Sequence, residues 1–190
     1  MPKLIIVFLI SLLPSQLLAR DVAGVDIAEQ LTITPGNHIF LNGAGVRSKF
    51  VIDIYVGALY LKKPSKDINE ILNMDGPKRI LMHFVYDEVE KEKLTGGWID
   101  GFKNNNSAEQ FAQLNERLQK FNSYFITVKK NDVIMLDYIP GIGTEIHINN
   151  DVKGSIPGRD FYHALLKVWL GEIPADPELK KAMLGITASE

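Results

Sequence analysis

Apolar positions along this chain recur with two different spacings, and the spacing changes several times. Residues 33–47, "ITPGNHIFLNGAGVR", read as two short strands joined by a turn at Pro35-Gly36-Asn37, with a second turn at Asn42-Gly43. Residues 48–63, "SKFVIDIYVGALYLKK", are rich in β-branched and aromatic side chains and predict one long strand. A short helix follows, capped by Ser65 and stopped at Gly76, and then a strand in "KRILMHFVYD". Residues 89–106 and 107–125 read as two helices. In the second, Phe111, Leu114, Leu118 and Phe121 make one apolar face, and Ser107 with Gln110 has the spacing of a capping box. "DVIMLDYIPGIGTEIHIN" predicts a hairpin turned at Gly141-Ile142-Gly143. Residues 157–172 predict a helix with Phe161, Leu165, Val168 and Trp169 on its inner face, ended by Gly171. A last short helix is capped by Asp176.

Strands, helices, strands and helices in that order are not the regular alternation of a parallel doubly wound fold. The pattern predicts an α+β chain: one long, mainly antiparallel sheet with helices packed on one face. No repeat or linker divides it. The start of the chain is different in kind. "MPK" is followed by an apolar block over residues 4–13, then Pro14 and "SQLLA". That order is that of a secretory signal peptide cut after Ala19, which makes residues 1–19 a leader and 20–190 a single domain. A spanning helix needs roughly 20 apolar residues, so no stable membrane span is expected once the leader is cut. The expected location is periplasmic or secreted.

Composition narrows the chemistry. Cysteine is absent, which removes thiol catalysis and Cys-ligated zinc. The formal charge of −2 offers no basic excess, so nucleic acid is not an expected partner. His38, His83, His147 and His163 stand singly, without the short spacing of a metal site, and no metal or cofactor is expected. Asp53 and Asp137 lie within strands and read as rim or outward positions. "GAG" at residues 43–45 precedes a strand rather than a helix N-terminus, so it reads as a structural turn whose glycines supply backbone angles that other residues avoid.

Arg47 is the informative charge. If residues 47–61 form one strand, Arg47, Tyr55 and Gly57 share a face, with Arg47 and Tyr55 roughly 26 Å apart at strand rise. A bulge or bend near Ser48-Lys49 would bring them closer. Gly57 leaves a place beside Tyr55 that a ligand or a helix could approach. The residues alone leave two readings open. Arg47 pairs with a local acid while Tyr55 is core with its hydroxyl satisfied, or the two face an anionic ligand.

"FLNGAGVR" with "KFVIDIYVGALYL", and "SIPGRDFYHALLKVWLGEIPADPELKKAMLG" near the end, resemble the chalcone isomerase-like family, and in particular its bacterial exported members. The resemblance implies an open-faced β-sandwich with a substrate cleft between sheet and helices. It places the family's site arginine at Arg47, its catalytic threonine at Tyr55 and its last polar site residue at Val168. Residues 90–102, where the family has a helix tyrosine and asparagine, contain neither. In fatty-acid-binding relatives an arginine and a tyrosine hold the carboxylate, and Arg47 with Tyr55 resembles that pair. The resemblance therefore implies a non-catalytic protein that binds a small apolar anion, a fatty acid or a phenolic compound, at Arg47 and Tyr55. Its alternatives are a cofactor-free intramolecular lyase with Arg47 as the catalytic residue, and a protein-interaction domain.

Overall fold

The computed structural model describes residues 19–186; the leader reading falls on residues 1–19, nearly all outside the described part. The strands are β1 (Ala19–Val22), β2 (Val25–Ala28), β3 (Gln30–Thr34), β4 (Asn37–Lys49), β5 (Ile52–Leu61), β6 (Lys78–Phe84), β7 (Glu88–Val89), β8 (Val128–Lys129), β9 (Val133–Ile139), β10 (Gly143–Ile148) and β11 (Asp151–Ile156). The helices are α1 (Ile68–Asn73), α2 (Lys91–Asn105), α3 (Ala108–Ser123), α4 (Arg159–Leu170) and α5 (Pro177–Met183). Seven strands form one antiparallel sheet in the order β11-β10-β9-β6-β5-β4-β3, and β1–β2 and β7–β8 are separate pairs. The α+β class and the helix-covered sheet are as the pattern predicts.

Alternation along the strands sends side chains to two cores. On the helix side Tyr55, Leu59, Phe84, Leu136 and Ile146 pack against α2, α3, α4 and α5. On the other side Val56, Ala58 and Tyr60 pack beneath Val25 and Ile27 of the β1–β2 hairpin. The α3 capping box forms between Ser107 and Gln110, and Asp176 caps α5.

Four local expectations are corrected. The run 48–63 is not one strand: it contains a two-residue hairpin loop, Phe50-Val51, between β4 and β5. Neither loop residue is a turn former, and Phe50 sits at a φ of 58°, a left-handed conformation that costs an ordinary residue about 1–2 kcal/mol. Asn42-Gly43 is not a turn. Asn42 is the extra residue of a bulge in β4, and its amide bridges Met183 O and the Ser65 N–H. Gly43 and Gly45 serve close approach rather than unusual backbone angles. A Cβ on Gly43 would lie 2.0 Å from Ala182 O, and one on Gly45 would lie 2.5 Å from Ala182 Cβ. Finally, α1 is capped by Asp67, which accepts from Asn69 and Glu70, while Ser65 Oγ hydrogen-bonds the Glu70 carboxylate. A serine two residues upstream has the same sequence signal as the true cap.

Candidate functional site

The site begins with the hairpin. With a second bulge between Arg47 and Ser48 in the pairing, Arg47 stands directly opposite Tyr55 across β4–β5. The two are cross-strand neighbours, not distant positions on one strand. The Arg47 guanidinium lies 5.7 Å from the Tyr55 ring centroid, a cation–π arrangement. Arg47 is half-buried, and among the described residues its guanidinium has no hydrogen bond and no ion pair. The nearby acids have other partners. Asp53 accepts from Ser48 Oγ at 2.7 Å. Asp176 accepts from Glu178 and Leu179 at the start of α5 and from the Ser48 N–H at 3.2 Å.

Tyr55 is 4% exposed. Its hydroxyl accepts a hydrogen bond from Trp169 Nε1 of α4 at 2.9 Å, and its own O–H has no acceptor among the described residues. Burial pushes this phenol up to about 12, against the Arg47 charge and the Trp169 hydrogen bond, with Asp176 adding to the rise. At neutral pH it is therefore an un-ionised donor. The Trp98 ring, from α2, lies 5.5 Å from that of Trp169, and its buried Nε1–H also lacks a partner among the described residues. The region thus holds three donors in search of an acceptor: the Arg47 guanidinium, the Tyr55 hydroxyl and the Trp98 indole. An unmade buried donor costs about 1–3 kcal/mol, and a carboxylate, acceptor-only when ionised, suits such a set.

The space beside these donors is occupied by the chain itself. Both Leu179 methyls lie 3.2 Å from where a Gly57 Cβ would be, so the approach expected at Gly57 is made by helix α5. On the facing wall, Val168 packs onto Gly101 of α2, with its methyls 2.8 Å from a Cβ there. Together with Leu94, Trp98 and Phe102 it makes the α2–α4 wall apolar. Three surface concavities, of about 300, 560 and 470 Å³, are lined by neither Arg47 nor Tyr55.

Of the residues expected at the site, Arg47 and Tyr55 come together. Sequence reading missed Trp98, Trp169 and Asp176 as their neighbours. A signal existed for the tryptophans: a buried indole N–H needs an acceptor, and Trp98 falls at i, i+4 between Leu94 and Phe102. Asp137 was also misjudged. It is 1% exposed and holds Arg79 through two hydrogen bonds of 2.6 Å on the sheet's other face. A strand carboxylate is buried when its partner is a cross-strand arginine, and only the register, Arg79 opposite Asp137, supplies that partner.

Comparisons with known proteins bear on this geometry. The model of the family described as chalcone isomerase-like matches residues 19–185. Among solved structures, a fatty-acid binding protein of Arabidopsis thaliana (AtFAP1) superposes with a TM-score of 0.67 at 17% identity, covering 85% of this chain and 92% of that one. A search of curated protein sequences finds no match.

Proposed function

Because the chain belongs to the chalcone isomerase-like family, we propose that it is an exported binding protein whose Arg47 end receives the carboxylate of a small apolar anion such as a fatty acid. One observation carries this reading. A half-buried guanidinium without hydrogen bond or ion pair among the described residues stacks on a buried phenol whose proton also lacks an acceptor. A carboxylate would accept from both, and a charge-assisted pair of that kind is worth more than a neutral one. The apolar tail would run along the seam between the sheet and α5, with Leu179 giving way beside Gly57. The fatty-acid binding named for the Arabidopsis protein is consistent with this and, at 17% identity, supports it only through the fold.

Titration of the purified chain with palmitate, read by calorimetry, tests the reading. Arg47→Ala is expected to weaken binding at least tenfold and Tyr55→Phe several-fold, near the roughly 1 kcal/mol of one hydrogen bond. Equal affinity for wild type and Arg47→Ala would sink it. A second reading is favoured by the packed seam: Arg47 merely covers the Tyr55 ring, and the chain acts through its surface as an interaction domain. Palmitate that binds neither protein, with Arg47→Ala losing only stability, would select it. The lyase alternative requires cyclisation of a chalcone above the uncatalysed rate, lost in Arg47→Ala.

A further inference from the structure

The loop that joins β4 to β5 presents the most exposed large apolar side chains among the described residues. Phe50 is 94% exposed, Val51 96% and the following Ile52 44%. The backbone holds Phe50 at a φ of 58°, at the first of two hairpin-loop positions, where glycine, asparagine or aspartate is the usual occupant. An aromatic residue in that conformation, wholly in solvent, adds nothing to the fold and works against it. Strain and exposure at one residue point to a surface that meets something outside the chain.

The loop is also firmly mounted. Ser48 Oγ bonds Asp53 across its base, and the Ser48 N–H bonds Asp176. Behind it Val85 and Tyr86 both donate to Ile54 O, which brings the partly exposed Tyr86 to the same end of the sheet. Lys49 stands beside the tip, exposed and cationic.

We propose that this tip enters the surface of a lipid bilayer, with Phe50 and Val51 among the acyl chains and Lys49 at the level of the phosphates. Size argues for a bilayer over a protein. The three side chains offer on the order of 400 Å², about half of what each partner buries in a stable protein interface. An aromatic and a β-branched residue flanked by a lysine is the composition that interfacial anchors use. Position argues the same way: Arg47 precedes the tip by three residues along β4, so the carboxylate-seeking end of the sheet would stand near the layer where amphiphilic carboxylates reside. That last point rests on the proposed binding function; the exposure and strain of the tip do not.

The experiment uses the full chain and vesicles of phosphatidylethanolamine and phosphatidylglycerol without free fatty acid, so that its outcome is independent of palmitate binding. The indole introduced by Phe50→Trp is expected to shift to the blue on vesicle addition and to be quenched by brominated acyl chains, which the buried Trp98 and Trp169 do not reach. Phe50→Ser with Val51→Ser is expected to lower vesicle partitioning at least tenfold without lowering the melting temperature. Because any contribution of residues 1–19 is common to both chains, the difference reports the tip. Absence of quenching, or equal partitioning of the double variant, overturns the proposal. Self-association in sedimentation that depends on Phe50 would also overturn it, in favour of a second copy.

Discussion

Lys78 is an amine enclosed almost completely by protein, 1% exposed, with its Nζ donating to Met74 O at the end of α1 and lying over the Tyr138 ring. Burial pushes its pKa down to about 8; the Arg159 charge adds to the fall and Asp75 opposes it. Unfolded, it would titrate near 10.4. Between those values the unfolded chain holds a proton that the folded chain has released, so stability rises with pH. Tyr55 and Tyr60 act in the opposite sense, since burial raises both to about 12. From about pH 10 upward the folded chain keeps protons that unfolded tyrosines have lost, and stability falls. The urea midpoint is therefore expected to be higher at pH 9.5 than at 7.5 and lower again at 11.5. Lys78→Met should flatten the first limb and leave the second; a midpoint falling steadily from pH 7.5 in the wild type would refute the assignment. At this scale the sequence was a partial guide. Arg47 and Tyr55 were legible as a pair only through the family resemblance, because alternation along one strand puts them on one face but roughly 26 Å apart. Lys78 and Asp137 were not, because burial of a charge depends on partners that are distant along the chain.

At the scale of elements, the decisive contact is α5 lying on strands β4 and β5. Gly43, Gly45 and Gly57 form its seat: atoms of α5 lie 2.0 and 2.5 Å from where the Cβ atoms of Gly43 and Gly45 would be, and both Leu179 methyls lie 3.2 Å from that of Gly57. Gly45→Ala would place its methyl 2.5 Å from Ala182 Cβ, an overpacking expected to cost about 1–3 kcal/mol. Ala182→Gly in the same chain should recover part of that, limited by the roughly 1 kcal/mol that glycine costs inside a helix. Urea denaturation of the two single variants and the double variant measures the coupling, and strict additivity would show that the seat is not tight. Helix positions were readable because i, i+3 and i, i+4 spacing and caps such as Ser107 and Asp176 are local. The hairpin at Phe50-Val51 was hidden, because apolar alternation continues through a turn that lacks the usual turn residues. The strands β1, β2 and β11 went unread for a related reason: each is short, and few of their positions are buried.

At the scale of the whole molecule, the sheet separates two cores that share no residues. Ile27 lies in one and Ile148 in the other, both 2% exposed. Ile27→Val and Ile148→Val should each cost about 1 kcal/mol, and their effects should add within about 0.5 kcal/mol. A larger coupling in the double variant, measured by denaturation, would mean that the sheet transmits packing from one face to the other. The same division locates the candidate site, since Arg47 and Tyr55 point to the helix side, where α4 and α5 close over them. The family match over residues 19–185 agrees with the ends of the chain that carried the resemblance, residues 40–61 and 155–185. Alone, the sequence determined what local spacing can encode: helix faces and their caps, strand alternation, the α+β order of elements, and which charge on which face deserved a partner. Tertiary structure decided what depends on register and approach. It folded 48–63 back on itself, so that Arg47 meets Tyr55 across a hairpin instead of standing far along one strand. It turned three glycines into a seat for α5, gave Asp137 to Arg79, and left Arg47, Tyr55 and Trp98 with hydrogens to donate. Each of these is a contact between residues far apart in the chain or across a turn, and no period of hydrophobic and polar positions records it.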